Sequence, residues 1–315
     1  MFALHMKSPT PADARPIIEI SNLTCTFGTK VALDNISLSV PAGGVFGLVG
    51  ENGAGKTTLI KHITGLLEAE AGSVRVFGLN PVADPVAVLG RIGYLSEHRN
   101  LPEWMRIREL LRYTQAFYPK WDVAYAEELR QQFALDPAAF CKNLSQGQRA
   151  KAGLLIAQAH RPELLLLDEP SSGLDPVVRR DILEAIVRIA ADEGRTVFFS
   201  SHLLDEIERV ADRIAVMKSG RIVLSGTVDE IKNAHTRLVV QFAPPLGNSP
   251  VIPGAFVLSG SGRDWVIIGE SNDASLSSSI EKLGGRVMEK SEATLDDIFV
   301  ARIGRLVGAV EEVVA

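Results

Sequence analysis

The sequence predicts an α/β fold, with a mostly parallel sheet that carries helices on its faces and a smaller α+β domain after it. Three observations support this. Short apolar segments alternate with helical ones in residues 17–235, only helical signals occur between about 99 and 161, and a second, shorter set of strands and helices occupies residues 236–315. We therefore expect a main domain with an inserted helical subdomain and a C-terminal accessory domain, preceded by a disordered tail at residues 1–16.

Composition restricts the class of protein. The 315-residue chain is 46% hydrophobic and 23% charged, a balance typical of globular proteins, and its length suggests about two domains. A formal net charge of −5 counts against nucleic acid as the main partner. Cys25 and Cys141 are too few for a disulfide framework, so we expect a reducing compartment. No apolar run approaches the ~18 residues that cross a bilayer, so neither a membrane span nor a secretory signal is expected.

The expected elements follow from short apolar runs and helical periodicity. Strands are expected at Ile17–Thr24, Ile36–Val40, Val45–Val49, Val74–Phe77, Ile92–Leu95, Leu164–Leu167, Thr196–Ser200 and Ile214–Met217. Helices are expected from Lys56 and at Glu103–Tyr118, Asp122–Phe133 and Gln146–His160. The accessory domain is expected to be a small α+β domain with a helix near Ala274–Leu283. Its other ordered segments are expected at Leu238–Phe242, Trp265–Ile268, Arg286–Lys290 and Leu295–Ile303.

The segment GENGAGKT at residues 50–57 lies between an expected buried strand and an expected helix. This is the context in which a glycine-rich loop curls its amide groups around the phosphates of a nucleotide, with Lys56 adding a full positive charge and Thr57 a hydroxyl ligand for Mg²⁺. A glycine-rich turn with a capping threonine is the alternative, but chance gives such a match in roughly one chain in a hundred of this length. The expected nucleotide contacts are Gly50, Asn52, Gly53, Ala54, Gly55, Lys56, Thr57 and Thr58.

Two carboxylates follow the buried strand at 164–167. Asp168 and Glu169 should lie at the edge of the sheet where open α/β sheets bind ligands, together with the ends of the strands that finish at Val49 and Ser200. Asp168 would hold Mg²⁺, and Glu169 would act as general base on the attacking water. A solvated turn is the alternative for such a sequence taken alone.

The segment LSQGQ at residues 144–148 opens a helix. Ser145 as N-cap with Gln148 three residues later is a capping box, which explains most of it without any ligand. It does not explain Gly147 in the first helical turn, because glycine there is costly unless the backbone must approach something closely. A phosphate at the helix end would supply a reason.

Taken together, these motifs resemble those of the ATP-binding-cassette family, over about residues 17–235. The resemblance implies an ABC-type nucleotide-binding fold, in which antiparallel strands accompany the mostly parallel sheet. Such a domain binds ATP and Mg²⁺ and pairs head to tail with a second subunit. The resemblance also implies that Ser145 and Gly147, with Gln148 in the same segment, contact ATP held by the partner subunit. Gln146 stands where the family usually has glycine.

Three further residues match family motifs. Asp175, after Ser172-Gly173-Leu174, resembles the loop that links the two sites, although it is also an ideal N-cap before Pro176. His202 resembles the histidine that contacts the γ-phosphate in the family. The expected catalytic residues are therefore Glu169, His202 and Lys56. A lone histidine at a strand end is otherwise more often structural. Phe27 stands about where the family stacks an aromatic ring on adenine, but a phenylalanine in the core or in a turn is nearly as common.

Glu97 is the clearest departure from the family, which usually has glutamine at this position. Glutamate keeps an oxygen ligand for Mg²⁺ but loses the amide donor. The expected metal ligands are therefore Thr57, Glu97 and Asp168. Glu97 and residues 295–299, LDDIF, resemble the antibiotic- and drug-exporter branch of the family.

The resemblance implies an ATP-hydrolysing transporter subunit, an exporter by its branch, that lies on the cytoplasmic face of the membrane and powers a separate transmembrane permease. It would pair with a second copy or with a paralogue. Aromatic side chains of the helical subdomain are candidates for the docking surface, namely Trp104, Tyr113, Phe117, Tyr118 and Trp121. A soluble, non-transport ATPase of the same family and a catalytically silent binding subunit are the alternatives.

Overall fold

A computed structural model describes residues 16–271 and 274–302. The expected tail therefore lies outside the described residues except for Pro16, as does Ile303. The chain separates into two compact units, Met1–Leu224 and Ser225–Ala315. This division falls earlier in the chain than the boundary after residue 235 that the sequence predicts. Among the described residues, none of the helices combines the length and the apolar character needed to cross a bilayer.

Twelve strands and nine helices have the following bounds within the described residues. The strands are β1 (Ile18–Phe27), β2 (Lys30–Val40), β3 (Gly44–Val49), β4 (Ala71–Val76), β5 (Ile92–Leu95), β6 (Leu164–Asp168), β7 (Thr196–Ser201), β8 (Arg213–Lys218), β9 (Arg221–Thr227), β10 (His235–Leu246), β11 (Ala255–Glu270) and β12 (Gly285–Glu292). The helices are α1 (Lys56–Ile63), α2 (Pro85–Leu89), α3 (Ile107–Gln115), α4 (Val123–Gln132), α5 (Gln146–Gln158), α6 (Pro176–Glu193), α7 (Leu204–Val210), α8 (Val228–Asn233) and α9 (Ala274–Lys282). A helical segment also begins at residue 295 and continues to the end of the described chain.

The central sheet of the first unit has the order β5-β6-β7-β3-β8-β9. The pairs β5–β6, β6–β7, β7–β3 and β3–β8 are all parallel, which confirms the expected largely parallel sheet. Every residue of β6 and β7 is buried, because helices cover both faces of such a sheet and its strands are therefore apolar along their length. Because β3, β6 and β7 are parallel, their carboxyl ends reach the same edge of the sheet.

A second, three-stranded sheet has the order β2-β1-β4 and is antiparallel. Its alternating buried residues, such as Ile18 and Ile20, join one apolar core with α1 residues Leu59 and Ile63 and with Phe46 of the central sheet. Phe46 stacks on Phe198 of the neighbouring strand with ring centroids 5.4 Å apart. This core supports the start of α1, where the glycine-rich loop ends.

The region between residues 99 and 161 is helical, as the sequence predicts, and contains α3, α4, α5 and a 3-10 turn at Cys141–Asn143. Its first helix is shorter than the expected Glu103–Tyr118. The amide of Arg106 donates to Glu109 Oε2 at 2.8 Å and so caps α3 at that point. At the other end the amide of Phe117 donates to Thr114 O at 3.0 Å, a tight turn that ends the helix.

The second unit contains the antiparallel sheet β11-β10-β12 with α9 beside it. Alternate residues of β10, including Leu238, Val240 and Phe242, pack with Trp265 and Ile280 into a separate core. Pro244 and Pro245 lie inside β10, where the pairing with β11 shifts register between Gln241 and Leu246. Proline lacks an amide hydrogen and is tolerated at such an irregularity, which is why β10 continues beyond the expected strand.

Candidate nucleotide-binding and hydrolysis site

The loop between β3 and α1 needs glycine for steric reasons. Gly53 and Gly55 have φ values of +83° and +109°. A Cβ atom on Gly55 would lie 2.7 Å from Ala32 O, and one on Gly50 would lie 2.6 Å from Met217 O. The loop therefore follows a tight path against the backbone of other segments. It brings the chain to the N-terminus of α1, whose first amide groups have no acceptors within the helix and can bind an anion.

Lys56 is the first residue of α1 and is only 6% exposed. Its Nζ donates to the carbonyl oxygens of Gly50, at 2.5 Å, and Glu51, at 3.2 Å. Nζ also lies 3.0 Å from Glu169 Oε1. The ammonium group is therefore held between the loop and the acidic end of β6, where the sequence predicts the phosphates of a nucleotide.

Asp168 is the last residue of β6 and is 1% exposed. Ser200 Oγ, at the end of β7, donates to Asp168 Oδ1 at 2.7 Å, while Oδ2 is buried and has no hydrogen-bond partner. Burial, with the charges of Asp168 and Glu97 as further causes, raises the pKa of Tyr94 to about 12, so the neighbouring phenol stays neutral. An unpartnered buried carboxylate oxygen fits a Mg²⁺ ligand, because a hard cation would satisfy it.

Glu169 follows β6 with a φ of +48°, in the left-handed region that side chains rarely adopt. Its amide donates to Ser200 Oγ at 2.9 Å. Its carboxylate lies between two groups, with Oε1 3.0 Å from Lys56 Nζ and Oε2 2.8 Å from His202 Nδ1. The structure thus brings together Lys56, Asp168, Glu169 and His202 at the edge of the sheet that the sequence predicts.

Phe27 and Glu97 lie outside this set of contacts. Phe27 ends β1 and is 52% exposed, so its ring is available for stacking and is not a core residue. Glu97 is exposed in the turn after β5. Within the described part of the chain, no hydrogen bond or ion pair joins either side chain to Lys56 or Glu169. Their roles toward adenine and Mg²⁺ remain predictions.

The segment 144–148 forms the expected capping box at the start of α5. Gln148 N donates to Ser145 Oγ at 3.2 Å, and Ser145 N donates to Gln148 Oε1 at 3.0 Å. Packing within the same chain explains why position 147 is glycine, since a Cβ atom there would lie 3.0 Å from the side chain of Val178 on α6. The close approach that the sequence suggests is therefore present, but it is made to a packed helix. Contact of these residues with a partner's nucleotide remains a prediction.

Asp175 caps α6, which begins at Pro176. Its Oδ1 accepts from the amides of Val177 and Val178, both at 3.1 Å. Asp175 is exposed, so the capping role and a role facing a partner are compatible. Among the described residues, no hydrogen bond joins it to Lys56.

The sequence analysis did not predict the contacts made by buried polar residues around the site. Glu206 on α7 is 1% exposed, and its Oε2 accepts from Ser171 Oγ at 2.6 Å and Ser201 Oγ at 2.9 Å. Its Oε1 lies 3.3 Å from Arg179 Nε. Ser200 could have been singled out from its place at the end of a strand at the shared edge. Glu206 gave no such signal, because an acidic residue in the first turn of a helix is usually solvated.

Comparison with known proteins agrees with this geometry. The sequence model of the ABC transporter family matches residues 33–172, which include the glycine-rich loop, the capping box and the acidic strand end. The ABC transporter ATP-binding protein YtrB of Bacillus subtilis is 27% identical over 91% of this chain and 98% of its own. The daunorubicin/doxorubicin resistance ATP-binding protein DrrA of Streptomyces peucetius is 36% identical over 69% of this chain and 67% of its own. A solved structure of an ATP binding subunit of an ABC transporter superposes with a TM-score of 0.63 at 30% identity, over 69% of this chain and 92% of that one.

Proposed function

This chain belongs to the ABC transporter family of ATP-binding proteins, and we propose that it hydrolyses ATP to drive a separate transmembrane subunit. The observation that carries the proposal is the group formed by the buried residues Lys56, Asp168 and Glu169 with the more exposed His202, in which Glu169 lies between a lysine and a histidine. Each residue type in this group has a task in phosphoryl transfer, and a catalytically silent subunit would not need the set.

Binding of the triphosphate uses the loop before α1. Amide groups from Gly50 to Thr58 and the ammonium of Lys56 contact the phosphates, and the exposed ring of Phe27 stacks on the base. The Thr57 hydroxyl and Asp168 would hold Mg²⁺, with Glu97 as a further ligand. When bound, Mg²⁺ supplies positive charge that offsets the charge of the phosphate oxygens.

Hydrolysis requires a base beside the terminal phosphate. Glu169 takes the proton of the attacking water, and His202, which is 2.8 Å from Glu169 Oε2, orients that carboxylate and contacts the γ-phosphate. Ser200 fixes the backbone of Glu169 and the carboxylate of Asp168 at the same time. The two acidic residues thereby keep separate tasks although they are adjacent in the chain.

A second subunit completes the site. Ser145 is exposed at the start of α5 and Asp175 is exposed at the start of α6, so both can face a partner chain. In a head-to-tail pair, Ser145, Gly147 and Gln148 contact ATP bound by the other subunit, and binding of ATP closes the pair. The partner subunit is a second copy of this chain or a paralogue.

The transmembrane partner docks on the helical region. Trp104, Tyr113 and Phe117 are 72%, 51% and 64% exposed, and the last two form an edge-to-face pair with centroids 5.1 Å apart. Tyr118 is instead stacked on buried His160 at 3.9 Å, which gives it a structural role. Exposed aromatic groups of this size are typical of interaction sites. The chain would then lie at the cytoplasmic face of the membrane.

Transport is proposed to be outward. Glu97 and the LDDIF segment at residues 295–299 support this direction, as does the similarity to a drug-resistance ATP-binding protein. The transmembrane partner selects the cargo, so the sequence of this chain does not identify the transported substrate.

The proposal is tested with the full chain and its Glu169→Gln variant. Replacing the general base should lower ATP turnover by about 10² to 10⁴ while ATP binding persists, and the variant should form an ATP-dependent dimer in light scattering. Turnover of the variant at the normal rate would remove Glu169 from its role.

The transmembrane partner is tested separately. Affinity purification from membranes should recover a transmembrane protein with the chain. Recovery of the chain alone with full ATPase activity would favour a non-transport ATPase.

A further inference from the structure

Arg99 reaches the turn that connects β6 to α6. Its side chain is buried, with 8% of the residue exposed. The Nη2 atom donates to three backbone carbonyl oxygens of this turn, those of Glu169 at 3.2 Å, Pro170 at 3.0 Å and Ser172 at 2.8 Å. One guanidinium group therefore contacts the turn that carries the proposed general base.

Burial increases the free-energy cost of losing these hydrogen bonds. The guanidinium group is largely removed from water. A buried cation must be compensated by acceptors, and here the acceptors are the carbonyl groups of the turn. Any conformation of the turn that rotates those carbonyls away would leave the guanidinium with fewer acceptors. Arg99 therefore favours a single conformation of residues 169–172.

That conformation is one which Glu169 would not adopt by itself, since its φ is +48°. The amide of Glu169 is bound to Ser200 Oγ at 2.9 Å and its carbonyl to Arg99 Nη2 at 3.2 Å. Both backbone hydrogen-bonding groups of Glu169 are thus held by side chains from other segments. Since backbone direction determines where the side chain starts, these two contacts fix the position from which the carboxylate reaches Lys56 and His202.

Arg99 also belongs to the turn that presents Glu97. The amide of Arg99 donates to Ser96 O at 3.1 Å, and Arg99 has a φ of +47°. Glu97 lies inside this tight turn and is exposed. A displacement of Glu97 would consequently move the backbone from which the guanidinium extends.

We propose that Arg99 is a positioning residue for ATP hydrolysis, which holds Glu169 in its productive orientation and links that orientation to the turn of Glu97. The inference rests on the proposed function, in which Glu169 acts as the base. Arg99 touches neither substrate nor metal in this scheme and acts only through the backbone of the turn.

The test compares Arg99→Met and Arg99→Lys in the full chain. Met removes the donors at similar length, whereas Lys keeps a charge and rotatable donors. Arg91→Met is the matched control, because Arg91 pairs with Glu163 at 2.6 Å and lies over Phe77 away from the turn. Arg99→Met should lower kcat by about 10- to 100-fold, as misplaced catalytic groups do, and change the KM for ATP by less than about 3-fold. Arg99→Lys should recover part of kcat, and Arg91→Met should keep the wild-type kcat.

A second readout separates positioning from general stability. In the Glu169→Gln background, Arg99→Met should cause no further loss of kcat, because the group that it positions is gone. A further loss of the same size, or a wild-type kcat in the Arg99→Met chain, would overturn the inference. If Arg99→Met does not fold, as judged by its melting temperature, a wild-type kcat in Arg99→Lys overturns it and a lowered kcat at unchanged KM supports it. An inactive wild-type chain would instead refute the proposed function together with this inference.

Discussion

Lys56 Nζ lies 3.0 Å from Glu169 Oε1, and the two side chains are 6% and 5% exposed. The glycine-rich loop and the acidic strand end are thus joined by a buried ion pair. His202 Nδ1 lies 2.8 Å from the other carboxylate oxygen. The lysine that is expected to bind phosphate therefore also compensates the charge of the proposed general base, and its removal should affect both binding and stability.

We expect Lys56→Ala to weaken ATP binding and to lower the free energy of unfolding by about 3 kcal/mol, the lower end of the range for breaking a buried pair, because His202 still faces Glu169. Titration with a fluorescent ATP analogue and urea unfolding measure the two effects. The double variant Lys56→Ala/Glu169→Gln removes the uncompensated charge. It should recover most of the stability while ATP binding stays weak; recovery of both would show that the lysine does not contact phosphate.

The packing of Gly147 against Val178 gives a second prediction. Ala is favoured over Gly by about 1 kcal/mol in a helix, but the added Cβ would lie 3.0 Å from the Val178 side chain. Gly147→Ala should therefore fail to stabilise the chain, and Gly147→Ala/Val178→Ala should relieve the contact. The matched reference is Val178→Ala alone, compared by urea unfolding.

ATPase activity of the same variants separates packing from a contact across the dimer. If Gly147 also approaches a nucleotide in the partner subunit, the double variant should stay impaired in turnover although its packing strain is relieved. Normal turnover in the double variant would leave Gly147 with a packing role only.

Local patterns explain why part of the site could be predicted from the sequence. The glycine-rich loop, its lysine and the carboxylates after β6 are each described by a few adjacent residues, and parallel strand ends necessarily meet at one edge. The contacts of Arg99 with Glu169 span 70 residues of chain, and those of Glu206 with Ser171 span 35. Such contacts depend on tertiary packing, which leaves no periodicity in the sequence. Gly147 is an intermediate case. The cost of glycine in a helix predicts that the backbone approaches another group closely, but the sequence does not identify Val178 as that group.

His160 makes stability depend on pH. Burial lowers the pKa of His160 to about 4, and its Nε2 lies 3.0 Å from Ile92 O. The unfolded chain should protonate this histidine near pH 6.5, whereas the folded chain does so only near pH 4. Between these values the unfolded state binds more protons, so stability is fully present above about pH 6.5 and is lost as the pH falls toward 4.

The variant His160→Gln cannot be protonated in this range. Between pH 7 and pH 5 the wild-type chain should lose roughly 2 kcal/mol more of unfolding free energy than the variant, at about 1.4 kcal/mol per pH unit below 6.5. Urea unfolding at both pH values measures the difference. Equal losses would mean that His160 is protonated in the folded chain.

Ser145 allows the capping role and the proposed phosphate contact to be separated. Ser145 Oγ accepts from Gln148 N at 3.2 Å, so Ser145→Ala should cost about 1 kcal/mol of stability through loss of the N-cap. Aspartate is an equally good N-cap, and its charge is favourable at a helix N-terminus, so Ser145→Asp should keep the stability. A carboxylate facing the terminal phosphate of ATP in a partner subunit would, however, be repelled. We therefore expect Ser145→Asp to unfold like the wild type in urea but to lose ATP-dependent dimerisation and turnover, and a fully active Ser145→Asp chain would restrict Ser145 to capping its own helix.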